Sequence, residues 1–332
     1  MITGRTKTLP QGFTLRRPSM ADVDAVAQVI RACEIEFEGM ADTTANDIRI
    51  HWTDPAFDIT KDAWIVLSPQ GQVVAVATIE QQEHARIFCW ADVLGAYRGL
   101  GIGTHLLEMT EARALEHLPL APIDARVSIL TWTKAKEVAA HRLLEKHGYQ
   151  RIRASWRMAI ELHEAPPAPV WPEGITLVTL AANPDRLHAV YEADEEFFSD
   201  HWGHMPHSFA EFEHHMTKRE NFDPSLWFIA MAGDKIAGIS LCADEKASGG
   251  WVHSLAIGRQ WRRQGLGLAL LHHSFGEFYR RGIHTIYLGV DAQSLTGATR
   301  LYERAGMRVV QQYYTYEKEL RAGRELSTQS VQ

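Results

Sequence analysis

The chain carries the same short segment twice, about 160 residues apart. Each copy, at residues 97–103 and 261–267, has an aromatic residue, an arginine, two further residues and then Gly-x-Gly at the start of an amphipathic stretch. Glycines without side chains allow backbone N–H groups to converge on anionic oxygens, and a helix N-terminus adds roughly half a positive charge. The segment therefore predicts one diphosphate site in each half of the chain.

Length and charge limit the classes of partner. With 332 residues, the chain is long enough for two cores of about 150 residues each. Its net charge is -7, and without runs of Lys and Arg this excludes broad attraction to nucleic acid or to an anionic membrane. Three cysteines are too few for a disulfide framework, and neither a signal peptide nor an apolar run of membrane-spanning length is present. We expect a cytoplasmic protein, monomeric or homodimeric.

The rest of each half repeats as well. A strand and a helix are followed by a hairpin, a strand that enters the glycine segment, the glycine helix, another strand, a short helix that ends at Gly148 or Gly306, and a last strand. The last strand of each half is expected as the final arm of a hairpin. The repeat predicts domains at 11–162 and 175–320, joined by a stiff proline-rich linker at 163–174, with flexible ends at 1–10 and 321–332.

This order of elements, with Arg-x-x-Gly-x-Gly and then Leu-Tyr-x-x-x-Gly at 301–306, closely resembles the GNAT superfamily of acyl-CoA-dependent N-acetyltransferases. The resemblance covers nearly the whole chain, and the tandem arrangement is similar to that of mycothiol synthase, which acetylates an amino sugar conjugate. It implies an α+β fold of two tandem GNAT-like domains. Each domain would be a mixed, mostly antiparallel sheet flanked by helices, with a splayed central strand pair.

The resemblance also implies acetyl-CoA (CoA) as the cofactor, with its diphosphate on the glycine turn and its pantetheine between the splayed strands. A plain turn that needs positive φ is the alternative for each copy, and Arg98 and Arg262 are alternatively surface residues. The residues implied in cofactor binding in the two halves are Leu255, Ala256, Ile257, Arg262, Arg263, Gln264, Gly265, Leu266, Gly267, Leu268 and Ala269, and Val93, Arg98, Gly99, Leu100, Gly101, Ile102, Gly103 and Thr104.

Tyr302 is the catalytic residue that the resemblance implies, as the partner of the departing thiolate. A phenol of pKa about 10 is a weaker acid than a thiol of pKa about 8.5, so Tyr302 is expected to donate a hydrogen bond rather than a proton. The matching position in the first half is Leu144, which predicts a catalytically inactive first domain. Core packing is the alternative role for Tyr302.

A base is needed if the acceptor is a Lys-like amine, because only about 0.04% of such an amine is neutral near pH 7. His253, on the strand before the second glycine turn, is the nearest candidate. Behind it come Asp200, His201, Asp244 and Glu245. Strand alternation gives His253 the facing of Leu255 and Ile257, so a core position is the alternative.

Acceptor binding is assigned by position to Asp200, His201 and Trp202. His201, His204 and His207 have a spacing that suits metal ligands on a helix, but Gly203 and Pro206 interrupt a helix there. We therefore predict no metal.

The sequence thus predicts an acetyl-CoA-dependent N-acetyltransferase. Its C-terminal domain would transfer the acetyl group directly to the primary amine of a small molecule, the acceptor. Two alternatives stay open: an acyl-enzyme route through Cys89 or Cys242, and a non-catalytic CoA-binding sensor or assembly module. Mycothiol-synthase-like acetylation of an amino sugar conjugate is the alternative within the enzyme class.

Overall fold

The computed structural model describes residues 8–246, 248–294 and 297–329. They form two compact units. The first comprises the described residues up to Arg153 together with Tyr313–Leu326, and the second comprises Ala154–Gln312 with the described residues from Ser327 onward. In these ranges, no helix is both long and apolar enough to span a bilayer.

The elements follow the repeat predicted from the sequence. In chain order, those of the first half are β1 (Thr14–Arg16), α1 (Val23–Glu38), α2 (Ala45–Trp52), α3 (Ile59–Asp62), β2 (Ala63–Leu67), β3 (Val73–Gln82), β4 (Arg86–Val93), α4 (Ile102–His117), β5 (Val127–Lys134), α5 (Val138–Lys146) and β6 (Gln150–Glu161). Those of the second half are β7 (Ile175–Thr179), α6 (Leu187–Phe198), α7 (Phe209–Thr217), β8 (Trp227–Ala232), β9 (Lys235–Asp244), β10 (Gly250–Ile257), α8 (Leu266–Arg280), β11 (Thr285–Asp291), α9 (Ala298–Arg304) and β12 (Arg308–Arg321).

Each unit is a six-stranded sheet with helices on both faces. The order is β1-β2-β3-β4-β5-β12 in the first unit and β7-β8-β9-β10-β11-β6 in the second. Within the two orders given for the described residues, β4 with β5 and β10 with β11 are parallel, and the other neighbouring pairs are antiparallel. In the second unit, one core lies under α8 and α9 and the other under α6 and α7. The predicted α+β fold with mixed, mostly antiparallel sheets is confirmed.

The last strands do not close the halves that encode them. β6 pairs with β11 through Ser155–Glu161, and β12 pairs with β5 through Tyr313–Arg321. The units therefore differ from the continuous domains 11–162 and 175–320 that the repeat suggests. The physical reason is that an apolar strand with the right alternation satisfies either sheet edge, so its sequence does not encode which edge it takes.

The central parallel pair splays apart in both units. The register of β10 with β11 covers Gly250 to Val252, although β10 continues to Ile257. The register of β4 with β5 likewise covers Arg86 to Phe88, although β4 continues to Val93. The splayed pair expected from the resemblance is therefore present, and each gap opens at the end of the strand that enters a glycine turn.

Residues 163–174 contain neither helix nor strand. The described parts of the two predicted flexible ends contact the rest of the protein. Residues 1–7 and 330–332 lie outside the described residues, while Leu9 packs on the first core. Arg321 is the last residue of β12, the backbone of Arg324 forms an isolated β-bridge with that of Ala125, and Ser327 is buried. The described part of segment 321–332 is thus bound to the units by backbone hydrogen bonds rather than frayed.

Candidate active site

The two glycine turns have the same backbone conformation. Gly99 and Gly101 have φ values of 76° and 89°, and their counterparts Arg263 and Gly265 have 63° and 87°. Positive φ is strained for a residue with a Cβ. Gly265 and Gly101 therefore satisfy a real conformational demand, whereas Arg263 adopts the same conformation at a cost.

Both turns leave a run of backbone donors unused. Among the described residues, the N–H groups of residues 263–268 and of residues 99–104 have no hydrogen-bond acceptor, and no side chain caps α8 or α4. Unpaired N–H groups at the start of a long helix, together with its macrodipole, form an anion site. The donors are present in both units.

Gly267 serves packing as well. A Cβ there would lie 3.1 Å from Leu301 on α9, so the glycine lets α8 approach the helix that carries Tyr302. At Gly265, in contrast, a Cβ would meet no atom of the described residues within 4 Å, and the positive φ is what favours glycine there. Leu266 and Ala269 are core residues, while Leu268 is partly buried.

The arginine of each glycine motif donates hydrogen bonds to a backbone carbonyl and a carboxylate next to its turn. Arg262 donates from Nε to the Ile257 carbonyl at 3.0 Å and from Nη1 to Asp200 at 2.8 Å. Arg98 donates to the Val93 carbonyl at 2.9 Å and to Glu36 at 2.6 Å. Both guanidinium groups thus already bind protein acceptors, and the donors that remain at the turn are backbone amides.

Asp200, which was assigned to acceptor binding by position, does not line the cavity that His201 and Trp202 line. Its side chain is 1% exposed and forms ion pairs with Arg262 and, at 3.4 Å, with Arg259. Burial alone would raise the pKa of Asp200, but the hydrogen bond and charge of Arg262 outweigh burial and lower it. Asp200 is therefore a structural anchor between α6 and the turn.

Tyr302 is buried in the core under α8 and α9. Its hydroxyl has no hydrogen-bond partner within the described ranges. Burial raises the pKa of Tyr302 to about 12, which keeps the proton on the phenol. Leu144, at the matching position of the first unit, is also buried and offers no proton.

His253 lies on a β-bulge, which sequence alternation could not predict. In the register of β10 with β9, Val252 pairs with Cys242 and Ser254 with Leu241, so His253 is the extra residue. A bulge breaks the alternation of side chains. As a result, His253 and its neighbour Ser254 both line one cavity.

Two carboxylates bind these neighbours. His253 Nε2 lies 3.0 Å from Glu245 Oε1. Burial would raise the pKa of Glu245, but the hydrogen bond and charge of His253, together with Asn221 and Arg219, outweigh burial and lower it. The Ser254 hydroxyl donates to Asp194 Oδ1 at 2.5 Å. Nothing in the sequence marks Asp194 as a cavity residue, because an acidic residue on an amphipathic helix usually lies on the solvated face.

The cavity has a volume of about 480 Å³. His201 and Trp202, two of the predicted acceptor residues, line it together with His253. Burial lowers the pKa of His201 and of His204, which keeps both imidazoles mainly neutral near pH 7. Across the described residues, no three His, Cys, Asp or Glu side chains are placed to hold a metal ion.

The C-terminal segment holds one wall of this cavity, a contact absent from the sequence-based predictions. The Gly203 N–H donates to the Thr328 carbonyl at 2.6 Å, and the Thr328 N–H donates to the His204 carbonyl at 3.0 Å. The indole of Trp202 donates to Gln329 at 2.9 Å. These bonds fix the loop that carries Trp202 and His204.

The cysteines are poor nucleophiles in this fold. All three are buried. Burial raises the pKa of Cys89 to about 12 and that of Cys242 to about 11. Because the thiolate is the nucleophilic form, these environments disfavour an acyl-enzyme route.

Comparison with known proteins agrees with this architecture. The family model described as the acetyltransferase (GNAT) family matches residues 26–149 and 187–307. A mycothiol acetyltransferase of Catenulispora acidiphila is 27% identical over 307 residues, which cover 88% of this chain and 94% of that protein.

Solved structures share the whole fold. A GCN5-related N-acetyltransferase from Sphaerobacter thermophilus is 39% identical, with a TM-score of 0.80 and coverage of 97% of this chain and 100% of that one. A tandem GNAT protein from the clavulanic acid biosynthesis pathway is 17% identical, with a TM-score of 0.72 and coverage of 94% and 100%.

Proposed function

Because the chain belongs to the GNAT family of acetyltransferases, we propose that its second unit transfers an acetyl group from acetyl-CoA directly to the primary amine of a small molecule. The observation that carries this proposal is the run of unpaired N–H groups at residues 263–268, directly after the strand that splays from β11. These donors suit the diphosphate of a coenzyme, and the gap between β10 and β11 suits an extended pantetheine.

The residues present fit this coenzyme. Gly265 leaves open space at the start of α8, so a phosphate can approach the backbone without meeting a side chain there. Leu255, Ala256 and Ile257 belong to the splayed part of β10 and would follow the pantetheine. When bound, the coenzyme supplies a thioester carbonyl that an amine can attack.

Tyr302 would stabilise the sulfur that leaves. With a pKa of about 12 against about 8.5 for a thiol, proton transfer from the phenol would be uphill by about 5 kcal/mol. A hydrogen bond to the developing negative charge avoids this cost. Because the Tyr302 hydroxyl has no hydrogen-bond partner in the described part of the chain, no existing hydrogen bond must break before it donates to the sulfur.

His253 would accept the proton that the amine nitrogen releases as the amide bond forms. Glu245 fixes the ring through Nε2 and stabilises the imidazolium that results. His201 and Trp202, which line the same cavity, would contact the acceptor.

The first unit would not perform this transfer. It keeps the unpaired amides at residues 99–104 but has Leu144 in place of the tyrosine. We propose that it retains at most a coenzyme-binding role, with Val93 and residues 98–104 as the corresponding cradle.

The relatives suggest one class of acceptor. Eight curated relatives, each named mycothiol acetyltransferase, match this chain at 24–30% identity. An amino sugar conjugate is therefore one candidate acceptor. The cavity on its own favours a primary amine held beside His253 and does not require a sugar.

The test is to incubate the purified full chain with acetyl-CoA and a panel of primary amines, and to measure both CoA release and acetylated product by mass spectrometry. Acetylation that falls in the His253→Ala variant supports the proposal. Counting bound acetyl-CoA per chain by native mass spectrometry separates one occupied unit from two. Binding without turnover of any amine would favour the sensor alternative and overturn the proposed reaction.

A further inference from the structure

The acceptor cavity carries more negative charge than a base for one amine requires. Asp194 and Glu195 are adjacent residues of α6, and both line the cavity. Glu245 lies behind His253 at its edge. The Asp194 and Glu195 carboxylates are therefore not explained by the transfer reaction.

The charge is not neutralised by basic side chains in the cavity wall. Among the described residues that line it, none is Lys or Arg. Glu195 lies 2.7 Å from His207 and 3.7 Å from His204. Asp194 forms no ion pair within the described residues and accepts a hydrogen bond from the uncharged Ser254 hydroxyl, so no cationic partner offsets its charge.

The rest of the wall is made mainly of five histidines, one of them His253, and of aromatic residues. The aromatic residues Phe198, Trp202 and Phe212 line the same space. Aromatic faces attract cations and cover apolar stems, and they offer nothing to a carboxylate. The cavity thus combines a hydrogen-bonded carboxylate, Asp194, with an apolar wall and a separate imidazole, His253.

We infer that the cavity selects acceptors that carry a second cationic group joined to the reacting amine by a short apolar stem, and rejects those that carry a carboxylate. This inference rests on the proposed function. His253 would take the reacting amine, while Asp194 and Glu195 would hold the second cation. Small diamines and compact amino-substituted molecules fit this description, whereas amino acids do not.

Three acceptors of matched length test the inference: putrescine, butylamine and γ-aminobutyrate. We expect kcat/KM to be about tenfold higher for putrescine than for butylamine, which corresponds to about 1.4 kcal/mol. We expect γ-aminobutyrate to be the poorest acceptor, because its carboxylate would face the Asp194 and Glu195 carboxylates.

Variants assign the effect to these residues. Asp194→Asn keeps an acceptor for the Ser254 hydroxyl, and Glu195→Gln keeps the side-chain volume, so both are expected to fold. Each should remove most of the preference for putrescine over butylamine and improve γ-aminobutyrate. Glu192→Gln is the matched control, because this residue of the same helix is 66% exposed and lies outside the cavity lining.

The outcomes separate the two proposals. Acetylation of all three acceptors at equal rates overturns the inference and leaves the proposed function standing. If none is acetylated, the proposed function fails for these amines, and calorimetry in the presence of acetyl-CoA decides the inference. Tighter binding of putrescine than of butylamine, abolished by Asp194→Asn, would support it, and equal binding would overturn it.

Discussion

Replacing Tyr302 by Phe should lower activity and leave stability almost unchanged. The Tyr302 side chain is buried, and its hydroxyl has no hydrogen-bond partner in the described part of the protein. The hydroxyl is not among the fully buried polar atoms that lack a partner in the described residues, so it keeps contact with solvent. Its removal breaks no protein hydrogen bond, and the free energy of unfolding is expected to change by less than about 1 kcal/mol.

The same change should slow the transfer. A hydrogen bond to a charged group contributes about 1.5–3 kcal/mol. If Tyr302 donates such a bond only as the thiolate develops, its loss should lower kcat about 10- to 150-fold. The affinity for acetyl-CoA should be almost unchanged, because the diphosphate donors at residues 263–268 remain.

Tyr316→Phe is the matched control. Tyr316 is also buried, but it belongs to the first unit and its hydroxyl donates to Glu145 at 3.3 Å. This change should lower stability by about 1 kcal/mol and leave kcat as it is. The measurements are CoA release under saturating substrates, calorimetric binding of acetyl-CoA, and urea denaturation. A Tyr302→Phe enzyme with unchanged kcat would refute the role given to the hydroxyl.

Three further outcomes are expected. Gly265 and Gly282 flank the two ends of α8, with φ of 87° and 78° and open space where a Cβ would lie. Replacing either by Ala should lower the free energy of unfolding in urea by about 1 kcal/mol. Only Gly265→Ala should also weaken acetyl-CoA binding. Asp200→Asn should destabilise the protein by about 2 kcal/mol at pH 7. Because the pKa of Asp200 is lowered in the folded protein, the stabilisation by its carboxylate is present above about pH 4 and is lost as the pH falls further. The free energies of unfolding of variant and parent should therefore converge in acid. Deleting residues 327–332 should raise the acceptor KM more than the acetyl-CoA KM in steady-state kinetics; equal effects on both would contradict the wall-fixing role of Thr328.

The sequence predicted the elements well because their signals are local. The apolar runs of β2, β3, β8 and β9 and the turn residues between them define hairpins without reference to the rest of the chain. The positions of the glycine turns could also be predicted, because positive φ at Gly101 and Gly265 favours glycine over other residue types.

What the sequence did not predict depends on contacts far apart in the chain. The bulge at His253 changes which side chains face the cavity, and no residue type marks it. Asp200 was assigned to the acceptor by position, but its ion pair with the partly exposed Arg262 makes it an anchor. Asp194 and the segment at 327–329 acquire their roles only through partners on other elements.

The exchange of last strands has a consequence for synthesis. Tyr313 pairs with Lys134 across about 180 residues of chain, so a ribosome must deliver almost the whole polypeptide before the first sheet gains its sixth strand. A product cut at the proline-rich segment would leave β5 with a bare edge, which is a template for association with other chains. Each half of the chain therefore depends on the last strand of the other half to complete its sheet.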